Sequence, residues 1–334
     1  MVLITGATGL VGSHLLYRFR ESATTTIALY REKESIDKTR QVFESYDPSH
    51  SKLVDDFIWK KADILDLPAL EGAFKGVRHV YHCAATLSAS SFHVMKRINI
   101  TGTENVINVA LAHGVEKFCH VSSIAALGEP VGDRATTEED FFNLDGINTD
   151  YAISKYGAEM EAWRATQEGM DVVIVNPGVI LGEGNWNEGS GQLFEKSFKG
   201  NRFYTSGSSG FVDVRDVVKV MHQLMNADIT NERFILVSEN LSYKKLLSAI
   251  AVSFGKKTPS IRLGKVVLYF VSVISYIGYI LGLNKKFKIS VIHSLISKTN
   301  YDNSKILQFL EEDFTPLDRS IDRISSYYKA KRLP

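Results

Sequence analysis

The sequence predicts an α/β fold: a doubly wound parallel sheet followed by a smaller, mostly helical C-terminal lobe. Three observations carry this. Short apolar runs alternate with helical patterns over the first 180 residues, a glycine triplet follows the first run, and from Ser242 onward the chain reads mostly helical.

Residues 2–5, 26–30, 56–60, 79–82, 118–121 and 172–176 read as strands. Each run is short, rich in Val, Ile or aromatics, and closed by a turn or helix signal. Between them, residues 10–20, 66–74, 94–113 and 150–168 have helical periodicity. Strands that alternate with helices pair in parallel through right-handed crossovers. After Pro177-Gly178 come a glycine-rich loop (182–191), a helix, a second glycine cluster (207–210), a helix ending near Asn226 and a strand at 233–237. The expected division is a dinucleotide-binding domain over 1–180, with 211–240 returning to it, and a substrate lobe made of 181–210 and 241–334. Such a lobe would cover the carboxyl edge of the sheet, where ligands of open α/β sheets bind.

Composition narrows the function classes. Apolar residues make up 44% of the 334 positions and charged residues 23%, which excludes disordered and fibrous classes. Thirty-nine Lys and Arg against 38 Asp and Glu leave a formal charge of +1, with no global bias towards nucleic acid. Cys83 and Cys119 are too few for a disulfide framework or a zinc site, and buried thiols are expected. The nine His have no metal-ligand spacing, and His79 and His82 fall on a strand; no metal is expected. The chain opens on Met1-Val2-Leu3-Ile4 with no leader pattern, so the cytoplasm is the expected compartment.

Gly6-Ala7-Thr8-Gly9-Leu10-Val11-Gly12 lies between the first strand and the first helix. Glycines there permit a tight turn and close approach to a pyrophosphate, while the helix N-terminus offers free N–H groups. The second strand runs into Arg31-Glu32-Lys33. An Arg at this point pairs with the 2′-phosphate of NADP(H), whereas an acid, here Glu32, would favour NAD. NADP(H) is the expected cofactor, with NAD as the alternative. Farther on, Tyr151-Ala-Ile-Ser-Lys155 places a phenol and an ammonium one helical turn apart. A nearby cation lowers a phenol's pKa and makes it a usable acid/base. Ser122-Ser123 closes the fifth strand, where a hydroxyl can polarise a substrate carbonyl.

Together these motifs resemble the extended short-chain dehydrogenase/reductase family, that is, the NAD-dependent epimerase/dehydratase family and especially its dihydroflavonol-reductase and 3β-hydroxysteroid-dehydrogenase branch. The likeness also covers Asp63-Ile64-Leu65-Asp66, His82-Cys83-Ala84-Ala85, Asn99-Ile-Thr-Gly-Thr-Glu-Asn105, Asn176-Pro177-Gly178-Val179 and Val214-Arg215-Asp216-Val217. It implies a Rossmann domain with Ser123, Tyr151 and Lys155 as catalytic residues. Ser123, five residues before Gly128, takes the carbonyl-orienting role, and Lys155 also holds the nicotinamide ribose. Asp63 and Ile64 would flank adenine, Ala84 and Ala85 the ribose–phosphate edge, and Pro177, Gly178 and Val179 the nicotinamide. The resemblance places Arg31 where the flavonoid-reductase branch binds the phosphate. Asn99 would support the backbone of the site. A homodimer through the helices at 94–113 and 150–168 is implied as well.

Three departures bear on the reaction. Ser123 is followed by Ile124-Ala125, not the acidic pair of sugar-nucleotide dehydratases, and Leu127 and Asn176 replace the Tyr and Arg of many sugar epimerases. The expectation is therefore an oxidoreductase interconverting a carbonyl and a secondary alcohol on a small hydrophobic substrate. A nucleotide-sugar epimerase and a non-catalytic dinucleotide-binding module are the rivals. One segment stands apart: residues 266–283 carry no formal charge and are flanked by basic residues. A helix at 263–283 could span a bilayer, lie on a membrane surface, or be buried in the lobe or a partner interface. Gly278 and Gly282, four apart, would allow close helix packing.

Overall fold

The computed structural model describes residues 1–280 and 288–332, with side chains described outside 276–287. Seven strands form one parallel sheet: β1 (Val2–Thr5), β2 (Thr26–Tyr30), β3 (Ile58–Lys61), β4 (His79–His82), β5 (Lys117–Val121), β6 (Asp171–Pro177) and, later in the chain, β10 (Glu232–Leu236). Their order is β10-β6-β5-β4-β1-β2-β3, and every pairing is parallel. The crossovers contain α1 (Leu10–Arg18), α2 (Ile36–Tyr46), α3 (Leu67–Ala73), α4 (Phe92–Lys96), α5 (Gly102–Ala112) and α6 (Asp150–Gln167). Strand alternation divides the core between the two faces. Ile4 packs with Leu15, Phe43 and Met221 on one side, and Leu3 with Val106, Phe118 and Ala162 on the other.

After β6 come β7 (Val179–Leu181), α7 (Gly191–Phe198), β8 (Phe203–Tyr204), β9 (Ser208–Asp213) and α8 (Val214–Asn226). Beyond β10 lie β11 (Glu239–Ser242), α9 (Tyr243–Ser253), β12 (Ile261–Arg262), α10 (Lys265–Ile280), α11 (Ile289–Ile296), α12 (Ser304–Leu307) and α13 (Leu317–Arg332). The C-terminal region is thus mainly helical. It surrounds an apolar cluster of Phe194, Phe211, Ile250, Phe254, Ile324 and Tyr328. A buried acid ties this region together and to α1: Glu183 accepts from Arg323 of α13 at 2.7 Å and Arg215 of α8 at 3.2 Å, while its carbonyl meets the His14 ring of α1 at 2.9 Å. Asp216 holds the backbone N–H and hydroxyl of Thr315.

Three local differences from the sequence reading have physical reasons. The expected helix over 94–113 begins at Phe92 and contains a wider π turn at Arg97–Thr101, which directs Asn99 inwards. Helix α2 escaped prediction because only Ile36, Val42 and Phe43 mark its apolar side amid charges. The helix expected at 263–283 spans Lys265–Ile280; its last three positions, and with them Gly282, lie outside the described residues. Among the described residues, no helix is long and apolar enough to cross a membrane, so the described part of that segment does not take the spanning reading.

His14, His82 and His120 are buried. Loss of hydration pushes their ring pKa values down, to about 4 for His14 and about 3 for His82. Such rings stay neutral when folded and take up protons when unfolded. Their stability contribution is complete above the ordinary histidine value of 6.5 and is lost as pH falls towards the folded values. The unfolding free energy from urea titrations should therefore drop between about pH 6.5 and about pH 5, by up to about 1.4 kcal/mol per pH unit per ring. A flat profile over that interval would contradict the burial.

Candidate active site

Each expected site segment follows the carboxyl end of a parallel strand, so the topology collects them along one edge. After β1, Gly6 takes a left-handed φ of 63°, and a Cβ there would lie 2.7 Å from the Ala84 nitrogen. A Cβ on Gly12 would sit 2.2 Å from the Gly6 carbonyl oxygen. Gly9 begins α1 and donates back to Gly6 at 2.9 Å. Thr8, Leu10 and Val11 line the same turn, partly buried. The result is a glycine cradle against a helix N-terminus, as a dinucleotide pyrophosphate requires. Arg31, just past β2, is exposed and has no ion-pair partner among the described residues. It is available to a phosphate.

The segment around Asn99 organises this edge. The Asn99 amide accepts from the Thr86 N–H at 2.7 Å, and donates to the Thr86 carbonyl at 3.0 Å and the Ser154 hydroxyl at 2.9 Å. Asn105 donates to the Ile64 carbonyl, and Gly102 makes room for the Ile64 side chain. Thr103 meets the His82 ring, whose other nitrogen meets Thr5. Ala84 donates to the Thr5 hydroxyl, while the Asp63 carboxylate caps the Leu65 N–H. One helical segment therefore holds the loops after β3 and β4 in place. Ala85 lies exposed beside Ala84.

The two serines after β5 diverge. Ser122 turns inwards and donates to the Glu159 carboxylate at 2.5 Å, whereas the Ser123 hydroxyl accepts from the Ala125 N–H at 3.1 Å and lies near enough to Tyr151 to influence its pKa. Helix α6 starts at a Thr149 cap and presents Tyr151, Lys155 and Glu159 at successive i, i+4 positions. Burial raises the Tyr151 pKa, and the nearby Ser123 hydroxyl opposes that rise. Lys155 is buried, its pKa lowered to about 8 by desolvation, and its ammonium donates to the Val121 carbonyl at 2.6 Å. The sequence reading expected Lys155 to lower the pKa of the phenol. Here burial dominates, and the ammonium is occupied at the strand end.

Glu159 was not anticipated. Fully buried, it also accepts from Asn176 at 2.8 Å and Arg233 at 2.9 Å. Arg233 in turn donates to the Glu138 carbonyl. Asn176 reaches the Ser123 carbonyl at 3.1 Å as well. The only sequence signal was the i+4 step beyond Lys155. Pro177 ends β6, Gly178 lies so close to Gly210 that a Cβ would meet its carbonyl oxygen at 2.4 Å, and Val179 opens β7. Trp186, in the glycine-rich loop after β7, packs edge-on against Tyr328 in the lobe. Cys119 is buried and Cys83 partly so; both are free thiols.

The NAD dependent epimerase/dehydratase family matches residues 2–236. The chain belongs to that family. As a member it is an NAD(P)-dependent enzyme of the extended short-chain dehydrogenase/reductase type. It is 27% identical over 267 residues to a putative dihydroflavonol 4-reductase of Synechocystis sp., covering 77% of this chain and 73% of that one. It is 25% identical over 268 residues to sterol demethylase protein B of Methylococcus capsulatus, covering 78% and 76%. A UDP-glucose 4-epimerase of Vibrio cholerae is 29% identical over 193 residues, covering 55% and 52%. Among solved structures, gox2253 superposes with a TM-score of 0.82 at 24% identity, covering 99% of this chain and 98% of that one. The UDP-glucose 4-epimerase of Thermotoga maritima gives 0.77 at 17%, covering 99% of each. These likenesses support the doubly wound fold of the family, whose members include both reductases and epimerases.

Two substitutions test the geometry. Glu159→Gln leaves the Arg233 charge buried without its counter-ion and should cost about 3 kcal/mol in urea denaturation. Gly12→Ala should weaken reduced dinucleotide binding by about tenfold or more in a fluorescence titration, because the new methyl displaces the cradle.

Proposed function

We propose that the enzyme is an NADP(H)-dependent oxidoreductase that interconverts a carbonyl and a secondary alcohol on a small hydrophobic substrate. The single observation that supports it best is the nearness of the Ser123 hydroxyl, at the end of β5, to Tyr151, which α6 presents one turn from Lys155. Residues 1–180 and 211–240 would bind the dinucleotide; residues 181–210 and 241–334 would bind the substrate.

A bound nicotinamide coenzyme would supply the hydride to the carbonyl carbon or, in the reverse direction, take it from the carbinol carbon. The chain's own residues manage the oxygen. The hydroxyls of Ser123 and Tyr151 hydrogen-bond it and polarise the C=O bond. Burial favours the protonated phenol, so in the reducing direction Tyr151 donates its proton to the oxygen as the hydride arrives, giving the alcohol. Lys155 remains a cation up to about pH 8 and stabilises the phenolate left behind. Gly6–Gly12 would hold the pyrophosphate, Arg31 the 2′-phosphate, Asp63 and Ile64 the adenine, Ala84 and Ala85 the ribose–phosphate edge, and Pro177 to Val179 the nicotinamide.

A reductase is favoured over a nucleotide-sugar epimerase by Leu127 and Asn176, and by the preoccupied Asn176 amide, which serves Glu159 and the Ser123 carbonyl. An epimerase returns the hydride and leaves no net change in nicotinamide absorbance, whereas a reductase consumes the reduced form. Tyr151→Phe should lower kcat by at least about a hundredfold while leaving dinucleotide affinity in place. Turnover untouched by this change would refute the mechanism. Arg31→Ala should weaken NADPH by about tenfold or more and NADH little, as measured by parallel titrations. Equal losses would remove the case for NADP(H).

A further inference from the structure

Between Asn240 and Tyr301 the chain carries ten Lys or Arg and not one Asp or Glu, while the remainder holds 29 basic and 38 acidic residues. A near-zero net charge thus conceals a strongly basic segment. Within it lies α10, which has a stripe of apolar residues at 266, 269, 270, 273 and 274. This i, i+3, i+4, i+7, i+8 spacing ordinarily faces a core. Here it faces solvent: Val266, Phe270, Val273 and Ile274 are 81%, 66%, 57% and 53% exposed, whereas Leu268, at 4%, anchors the helix. Ile261 and Phe203, paired between β12 and β8 just before the helix, are exposed too. Lys256, Lys257, Arg262 and Lys265 precede or open the helix, all exposed.

We propose that α10 and the basic residues before it form a docking surface for an anionic lipid bilayer. The apolar stripe enters the boundary between headgroups and acyl chains, and the four cations face the lipid phosphates. Charge decides the occupant. A second copy docking the same patch about a two-fold axis would set cation against cation, because the segment contributes no acid. An anionic membrane complements both the charge and the apolar stripe. Membrane docking through the exposed face of α10 does not rest on the reaction proposed above, although the helix belongs to the proposed substrate lobe.

The test is flotation of the full-length protein with vesicles of phosphatidylcholine alone or mixed with phosphatidylglycerol. The protein should float with the mixed vesicles, float poorly with phosphatidylcholine alone, and be released by salt. Neutralising Lys256, Lys257, Arg262 and Lys265 to Gln should reduce partitioning by roughly fivefold per charge. V266S/F270S/V273S should abolish flotation without altering thermal unfolding or NADPH binding. Failure of the parent protein to float with the mixed vesicles would overturn the proposal, as would equal flotation of the serine variant. So would a parent dimer that ignores vesicles and becomes monomeric in that variant, since a second copy would then own the face. Dinucleotide binding and turnover are read separately, so loss of flotation leaves the proposed reaction intact.

Discussion

The catalytic edge depends on one buried carboxylate. Glu159 gathers the Ser122 hydroxyl from the end of β5, the Asn176 amide from β6 and the Arg233 guanidinium from β10. A charge taken out of water persists only when donors surround it, and these donors come from three neighbouring strands. The bonds fix the rotation of α6 about its axis and its height above the sheet. Because Tyr151 and Lys155 share that helical face, their placement follows from Glu159. The inward turn of Ser122 is fixed by the same carboxylate.

Much of this was legible in the sequence. Short apolar runs marked all seven strands of the sheet because parallel strands are buried on both faces. The glycine triplet and the Tyr151/Lys155 spacing were legible because a turn and a helical step are local. The Glu159–Arg233 pair was hidden, its partners being 74 positions apart and joined only by strand pairing. The Lys155 contact with the Val121 carbonyl was equally hidden, because a backbone carbonyl is a partner that every residue possesses. Nor could hydropathy say which way α10 faces; Val266 and Leu268 look alike in sequence yet lie on opposite sides of the surface.

The family match ends at residue 236, while the mainly helical region runs on to Arg332 among the described residues. The remainder beyond residue 236 lies outside that match. That remainder is coupled to the sheet by Glu183, Asp213 and Asp216. The ion pairs are buried on their acidic side and meet Arg215 and Arg323 from two helices distant in sequence. Changes in the C-terminal region can therefore register at α1, whose His14 contacts the same knot.

The edge strand β10 has a consequence for biosynthesis. It pairs with β6 from Glu232↔Val173 to Leu236↔Pro177, yet α7, β9 and α8 are made between the two. A nascent chain emerging from the ribosome cannot complete its central sheet when β6 appears. It must first release most of the glycine-rich insertion, leaving the outer rim of β6 and the Glu159 carboxylate without Arg233 until late in translation. Closing that long loop makes the assembly slow by topology and puts the exposed strand edge in need of protection while synthesis proceeds.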